Sequence, residues 1–268
     1  MPVRIRKLTL VCFSPTGTTK RILRGIGRGM DRGTADLVDL TLPDARKHKL
    51  HTSGEDLLVV GVPVYMGRVP SILLEWLNGI HADGSPAVCV VVYGNRAYED
   101  ALVELQDILK KRGCIPIAGA AYIGEHSYSS SAIPIAKGRP DKIDLDHAEY
   151  FGQKINEKLL SVSSPDQIPA VNIPGNCPGG KATKLWSLDF IAVNRECVQC
   201  GTCSEICPVG AIDATDSQWI DKEKCITCCA CIRNCPQKAR TIKPGPVKDA
   251  ALRLGSLYKE RKEPEYFI

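Results

Sequence analysis

Over residues 1–160, apolar positions come in short, nearly continuous runs: Leu8–Phe13, Ala35–Leu40, Leu57–Val62, Ala87–Tyr93 and Ile115–Ile123. A strand with one wet face alternates, whereas runs this continuous are expected of strands covered on both faces. Between them the pattern takes the helical period, over Thr18–Met30, Pro70–Leu77, Tyr98–Lys111 and Lys142–Leu160. Pro70 suits a helix start, where its missing N–H costs nothing. Lys110-Lys111-Arg112 before Gly113 makes a basic last turn with a glycine stop. Five strands alternating with helices predict an α/β fold built on a doubly wound parallel sheet. Ligands of such sheets bind beyond the carboxyl ends of the strands, near the point where strand order reverses.

The pattern breaks after residue 160. Residues 161–189 are rich in serine, proline and glycine and are expected to form a linker or a loop covering the first domain. Residues 190–245 form a second, cysteine-rich domain, and residues 246–268 a closing helix and tail. Composition sharpens this division. The chain has 13 cysteines in 268 residues, and nine of them lie from Cys197 to Cys235. A disulfide scaffold is short and secreted, so crowded thiols here point to metal ligands in a reducing compartment. No apolar run reaches the length of a membrane span. The basic start, Met1 to Lys7, precedes an apolar run too short for a signal peptide. The expectation is a cytoplasmic protein with no membrane insertion. The formal charge of +5 is dispersed, without basic blocks or interleaved aromatics, so no nucleic-acid partner is expected.

The cysteines form a repeat. Cys197, Cys200, Cys203 and Cys207-Pro208 recur 28 residues later as Cys225, Cys228, Cys231 and Cys235-Pro236. Three thiolates two residues apart can take three corners of one cubane, and a fourth that precedes proline ligates the other cluster in two-cluster ferredoxins. Cluster one then takes Cys197, Cys200, Cys203 and Cys235. Cluster two takes Cys225, Cys228, Cys231 and Cys207. Structural zinc prefers two separated ligand pairs and suits this spacing poorly. The segment resembles the bacterial 2×4Fe-4S ferredoxins, an α+β fold, and that resemblance implies one-electron transfer. Cys229 falls at the repeat position of Gly201, a non-ligand position. Cys12, Cys89 and Cys114 sit in or beside apolar runs and read as small hydrophobes. Cys177 reads as a free loop thiol.

The first domain carries its own candidate site. The first apolar run leads into Ser14-Pro15-Thr16-Gly17-Thr18-Thr19 and then a helix. Hydroxyls can donate to a phosphate, Gly17 lets the backbone approach it, and the helix start favours the negative charge. Neither a Walker loop nor the three-glycine dinucleotide fingerprint is present. Two further loops follow the third and fourth runs: Pro63-Val64-Tyr65-Met66-Gly67 and Tyr93-Gly94-Asn95-Arg96-Ala97-Tyr98.

Together these loops resemble those of flavodoxin, over about 150 residues in strand order 2-1-3-4-5. With the cluster segment, the chain resembles the flavodoxin–ferredoxin fusion proteins. The resemblance implies FMN and two 4Fe-4S clusters. Ser14, Thr16, Gly17, Thr18 and Thr19 match the phosphate binders. Pro63, Val64, Tyr65, Met66 and Gly67 match one ring-binding loop, and Tyr93, Gly94, Asn95, Arg96 and Tyr98 the other. Whether Tyr65 or Tyr98 stacks on the ring is open. Arg68 and Arg96 stand where flavodoxins are mostly acidic; each is either a cation beside the flavin or a solvated loop charge. The long segment from Gly124 to Asp141 would cover the flavin or contact the cluster domain, and His126 is either a proton donor or a satisfied histidine. The leading expectation is an electron-transfer flavoprotein serving a redox partner protein, a ferredoxin or an oxidoreductase. The alternative is a flavin-dependent reductase of a small substrate, fed through the clusters.

Overall fold

The computed structural model describes residues 5–31, 33–164, 167–169, 171–176 and 187–268. In chain order the first part is β1 (Lys7–Cys12), α1 (Thr18–Met30), β2 (Asp36–Asp39), β3 (His51–Ser53), β4 (Asp56–Pro63), α2 (Leu74–Asn78), β5 (His81–Asp83), β6 (Pro86–Tyr93), α3 (Ala101–Lys111), β7 (Ile115–Ile123) and α4 (Lys142–Leu160). The cysteine-rich part adds β8 (Ile191–Val193), α5 (Thr202–Glu205), α6 (Ala230–Arg233) and β9 (Arg240–Ile242). The chain closes with α7 (Pro246–Leu257) and β10 (Glu265–Phe267).

The main sheet runs β10-β7-β6-β4-β1-β2. Strands β2, β1, β4, β6 and β7 pair in parallel, which is the 2-1-3-4-5 order of a flavodoxin-like sheet. Every residue of β6 is buried, as the unbroken run of apolar residues requires. One face packs on α1 and α4 through a core including Leu10, Ile22, Ile26, Val90, Tyr122 and Phe151. The other packs on α2 and α3 through Phe13, Val60, Trp76, Val91 and Leu105. Helices α1 and α4 touch backbone to backbone. A Cβ on Gly29 would stand 1.8 Å from Glu149 O, and one on Gly152 2.2 Å from Ile26 O.

The sheet has six strands where the sequence pattern predicts five. Strand β10 adds antiparallel to the outer edge of β7, with Tyr266 opposite Ala120. Its three residues have no run or turn signal; they cover the otherwise unpaired edge of β7, and Tyr266 packs against Phe151 at 5.3 Å. The closing helix ends at Leu257, and the chain then runs back over the first part. Part of segment 161–189 falls outside the described residues, including Cys177. Within what is described, Ile168, Val171 and Ile173 are buried on the first part, and Gln106 donates to Val171 O at 3.0 Å.

The cysteine-rich part shows the repeat in its backbone. Positive φ occurs in pairs offset by the same 28 residues: Gln199 with Thr227, Gly201 with Cys229, and Gly210 with Lys238. The amides of Ala211 and Ala239 donate to the sulfurs of Cys207 and Cys235, each at 3.3 Å. Cys229 therefore holds, at φ 57°, the left-handed cap position that glycine holds in the first copy at φ 75°.

Candidate cofactor-binding sites

The loop after β1 is shaped for an anion. Gly17 takes φ 84° and caps α1, whose first turn has no side-chain cap and no acidic residue. Of the amides at the helix start, that of Lys20 is taken by Ser14 Oγ and that of Gly17 by Ser14 O, which leaves those of Thr18 and Thr19 to a ligand, and the helix dipole favours an anionic one. Thr19 is fully buried and its Oγ1 has no hydrogen-bond partner, which fits a phosphate oxygen as the missing partner. Ser14 Oγ is already engaged, accepting from Lys20 N–H at 3.0 Å. Thr16 and Thr18 are half-buried. Lys20 is turned aside to Asp39 at 2.5 Å.

The ring-loop residues are dispersed in role. Tyr65 packs beside the apolar core under α2 and α3. Burial first, then the neighbouring Cys228 and Cys229, raise its hydroxyl well above the usual tyrosine pKa. Gly94 lies under His126, since a Cβ there would meet the imidazole Cδ2 at 2.2 Å. Asn95 and Tyr98 are committed elsewhere. Asn95 Nδ2 donates to the carbonyls of Tyr258 and Glu260, each at 2.9 Å, and Tyr98 donates to Glu265 at 3.0 Å. Arg68 forms a two-pronged pair with Glu104 at 2.9 and 2.6 Å, which neutralises it inside the fold. Arg96 pairs with Glu99.

His126 is a neutral imidazole. Burial, then the cations Arg233 and Arg96, lower its pKa to about 4. Its Nδ1 accepts from Tyr128 N–H at 3.0 Å, and Tyr128 stands edge-on to it at 4.9 Å. The segment around it is bound to the cysteine-rich part. Arg233 reaches Glu125 at 2.9 Å and His126 O at 3.0 Å.

In the cysteine-rich part, Cys207, Cys225, Cys228 and Cys231 line one enclosed cavity, together with Ile191, Ile212 and Cys229. Cys207 comes from the first motif and the other three from the second. Four thiol donors around one cavity fit an iron–sulfur cluster in donor chemistry. Among the described residues no group of His, Cys, Asp or Glu converges tightly enough to ligate one bare metal ion. Of the other four cysteines, Cys203 is buried, Cys197 and Cys235 are half-buried, and Cys200 is exposed. In the cavity set three are buried and Cys225 is half-buried, so the second set, with exposed Cys200, is the more solvent-facing of the two. Tyr128 packs on the small core that includes Cys207, Cys229 and Cys231; burial first, then Thr227 and Cys229, set its hydroxyl, which ends up at about 12.

Residues 192–213 match the 4Fe-4S binding domain. The chain thus joins a flavodoxin-like fold to a 4Fe-4S binding domain. Over 44 residues the chain is 50% identical to a subunit of the ion-translocating oxidoreductase complex of Methanosarcina acetivorans, a match covering 16% of this chain and 17% of that protein. Over 71 residues it is 34% identical to a ferredoxin-like protein in the nif region of Nostoc sp., covering 25% of this chain and 58% of that one. The chain therefore spans about a sixth of the first relative and under two thirds of the second. Among solved structures, a flavodoxin from the domain Archaea overlaps 57% of this chain and 98% of its own, at 17% identity and TM-score 0.39. Flavodoxin 2 from Bacillus cereus overlaps 57% and 99%, at 14% identity and TM-score 0.41. The fold reading stands on the strand order itself.

Three contributors were not foreseen from the sequence. Arg46 donates to Leu40 O at 2.6 Å and also to Pro208 O, clamping the first part to the Cys207-Pro208 corner. Arg233 and Tyr128 make the second junction. Only the aromatic in a long loop, Tyr128, had a feature that a search of the sequence could have raised. Three other thiols are inert: burial pushes Cys12 and Cys114 up to about 12 and raises Cys89 as well.

Proposed function

We propose that the chain is an electron-transfer iron–sulfur flavoprotein that passes electrons between two 4Fe-4S clusters and FMN, and on to a redox partner protein such as a ferredoxin or an oxidoreductase. One observation carries the reading: Cys207 of the first motif and Cys225, Cys228 and Cys231 of the second line one cavity, and the same part is bonded through Arg233 to Glu125 and to the carbonyl of His126, whose ring lies over Gly94 of the loop expected to hold the flavin ring. Bound FMN would supply one- or two-electron redox chemistry. The loop from Ser14 to Thr19 would hold its phosphate, with Thr19 Oγ1 and the amides of α1 as donors. The loops at Tyr65 and Gly94 would hold its ring, and neutral His126 would exclude water above Gly94. Cys197, Cys200, Cys203 and Cys235 would hold the outer cluster. Joining donor and acceptor in one chain raises their effective concentration, and the Arg46 and Arg233 bonds fix how the two parts meet.

The names of the cluster-matching relatives, a ferredoxin-like protein and a member of an oxidoreductase complex, support redox work for this part. The reductase alternative gains nothing from His126, which is held as neutral imidazole and bound through its carbonyl by Arg233. Anaerobic purification with iron, sulfide and flavin quantification tests the reading. About eight irons and one FMN per chain are expected, with both cofactors titrating in a spectroelectrochemical cell. Zinc in place of iron would refute it.

A further inference from the structure

The two copies of the cysteine repeat differ at one buried position. Ile212 lies five residues after Cys207, and the 28-residue offset places Arg240 five residues after Cys235. Ile212 is 6% exposed and Arg240 3%. The backbone around them is the same. The amide just before each, of Ala211 and of Ala239, donates to the cysteine sulfur at 3.3 Å. Each residue also pairs with an antiparallel neighbour, Ile212 with Ile220 and Arg240 with Val193. Ile212 lines the cavity of Cys207, Cys225, Cys228 and Cys231. By the repeat, Arg240 holds the matching place by the set that includes Cys235. The first copy fills that place with an apolar side chain, and the second puts a guanidinium there.

The protein does not offset that charge. Arg240 Nη2 donates to the carbonyl of Ser217, a buried residue. Ser217 N–H in turn donates to Gln199 Oε1 at 2.8 Å, which ties the guanidinium to the loop between Cys197 and Cys200. Nη1 is buried and has no hydrogen-bond partner. Among the described residues no carboxylate pairs with Arg240. The other cysteine set feels it as well: burial raises the Cys231 thiol, and Arg240 is the strongest charge acting on it, in the lowering direction. A buried cation without a counter-charge is strongly unfavourable, and a buried donor without an acceptor adds to the cost. Thiolates around an iron–sulfur core supply both the missing negative charge and sulfur acceptors.

We propose that Arg240 sets cluster potential: a buried cation, fixed by Ser217 beside the two cysteine sets, whose Nη1 donor is left for a cluster sulfur. This rests on the reading that the eight repeat cysteines hold two 4Fe-4S clusters. Reducing a cluster adds one electron and no proton, so its negative charge grows by one. A fixed cation in a buried site favours the reduced form, and Arg240 therefore raises the reduction potential.

Spectroelectrochemical titration of the anaerobically purified full chain reads this directly, with iron and sulfide counted in every sample. Arg240→Ile, which copies the first motif, and Arg240→Gln are expected to lower at least one cluster potential. The reduction equilibrium should shift by about ten-fold, which is ~59 mV for one electron. Arg240→Lys keeps the charge and should retain most of the wild-type potential. Full iron with both potentials unchanged in the neutral variants overturns the proposal, and so does an equal fall in Arg240→Lys. Iron lost from the neutral variants but kept by Arg240→Lys, at the wild-type potential, supports it, since the charge separates them. Iron lost from all three makes the arginine a packing residue and overturns it. Fewer than about eight irons in the wild type overturns the cluster reading beneath it, whatever the variants do.

Discussion

The two halves of this molecule hold themselves together by different means. The flavodoxin-like half encloses its sheet between two apolar cores in which cysteine is incidental. The cysteine-rich half has one small core, and Cys203, Cys207, Cys229 and Cys231 are among its buried members. Its strands are three residues long and its first two helices four. Elements that short do not persist by propensity. On the proposed function, one half is a fold that would receive a cofactor; in the other, the cysteines that would ligate are a large part of the core.

The largest expected effect breaks the second half alone. Stripping iron anaerobically with a chelator should open residues 190–245 to proteolysis while the flavodoxin-like half stays resistant. Metal binding in small metallo-domains contributes on the order of 10 kcal/mol to folding, more than this core can replace. Equal resistance of both halves would contradict the comparison. Next, Phe151→Ala empties a fully buried site between α4 and the sheet and should cost about 3–5 kcal/mol, read by chemical denaturation, with iron content unchanged. Thr19→Val should weaken FMN binding by about ten-fold by removing a hydrogen bond to a charged group, measured by fluorescence titration, again with iron unchanged.

The last effect is at the junction. His126 has a folded pKa near 4 against an unfolded 6.5. The unfolded chain therefore binds the extra proton between these values, and stability should fall as pH drops from 6.5 towards 4. Arg233, Arg96 and the Glu125 carboxylate surround the ring, and His126→Gln should flatten the slope in denaturation curves between pH 5 and 7.

The contrast between halves also explains what could be read from the sequence. The central parallel strands were legible because burial on both faces writes itself as near-continuous apolar runs, as in Pro86–Tyr93; edge strand β2, Asp36–Asp39, is half-exposed and was legible only from its flanking apolar residues. The cysteine pattern was legible because ligand spacing is a local property, and the repeat separated Cys229 from its neighbours. What stayed hidden is what depends on the halves meeting. Strand β10 is three residues paired to a distant edge. Asn95 and Tyr98 look like ring-loop residues until the returning tail engages both. Arg46 and Arg233 are ordinary surface arginines in the sequence and become clamps only when the second half is docked.

The central claim is spatial: an inner cluster beside the flavin loop and an outer one towards solvent. Anomalous diffraction at the iron edge, from crystals of the anaerobically purified chain, tests it most directly. Two iron centres are expected, one enclosed by Cys207, Cys225, Cys228 and Cys231, the other held by Cys197, Cys200, Cys203 and Cys235. A single centre, or an inner centre that lacks Cys207, would contradict it.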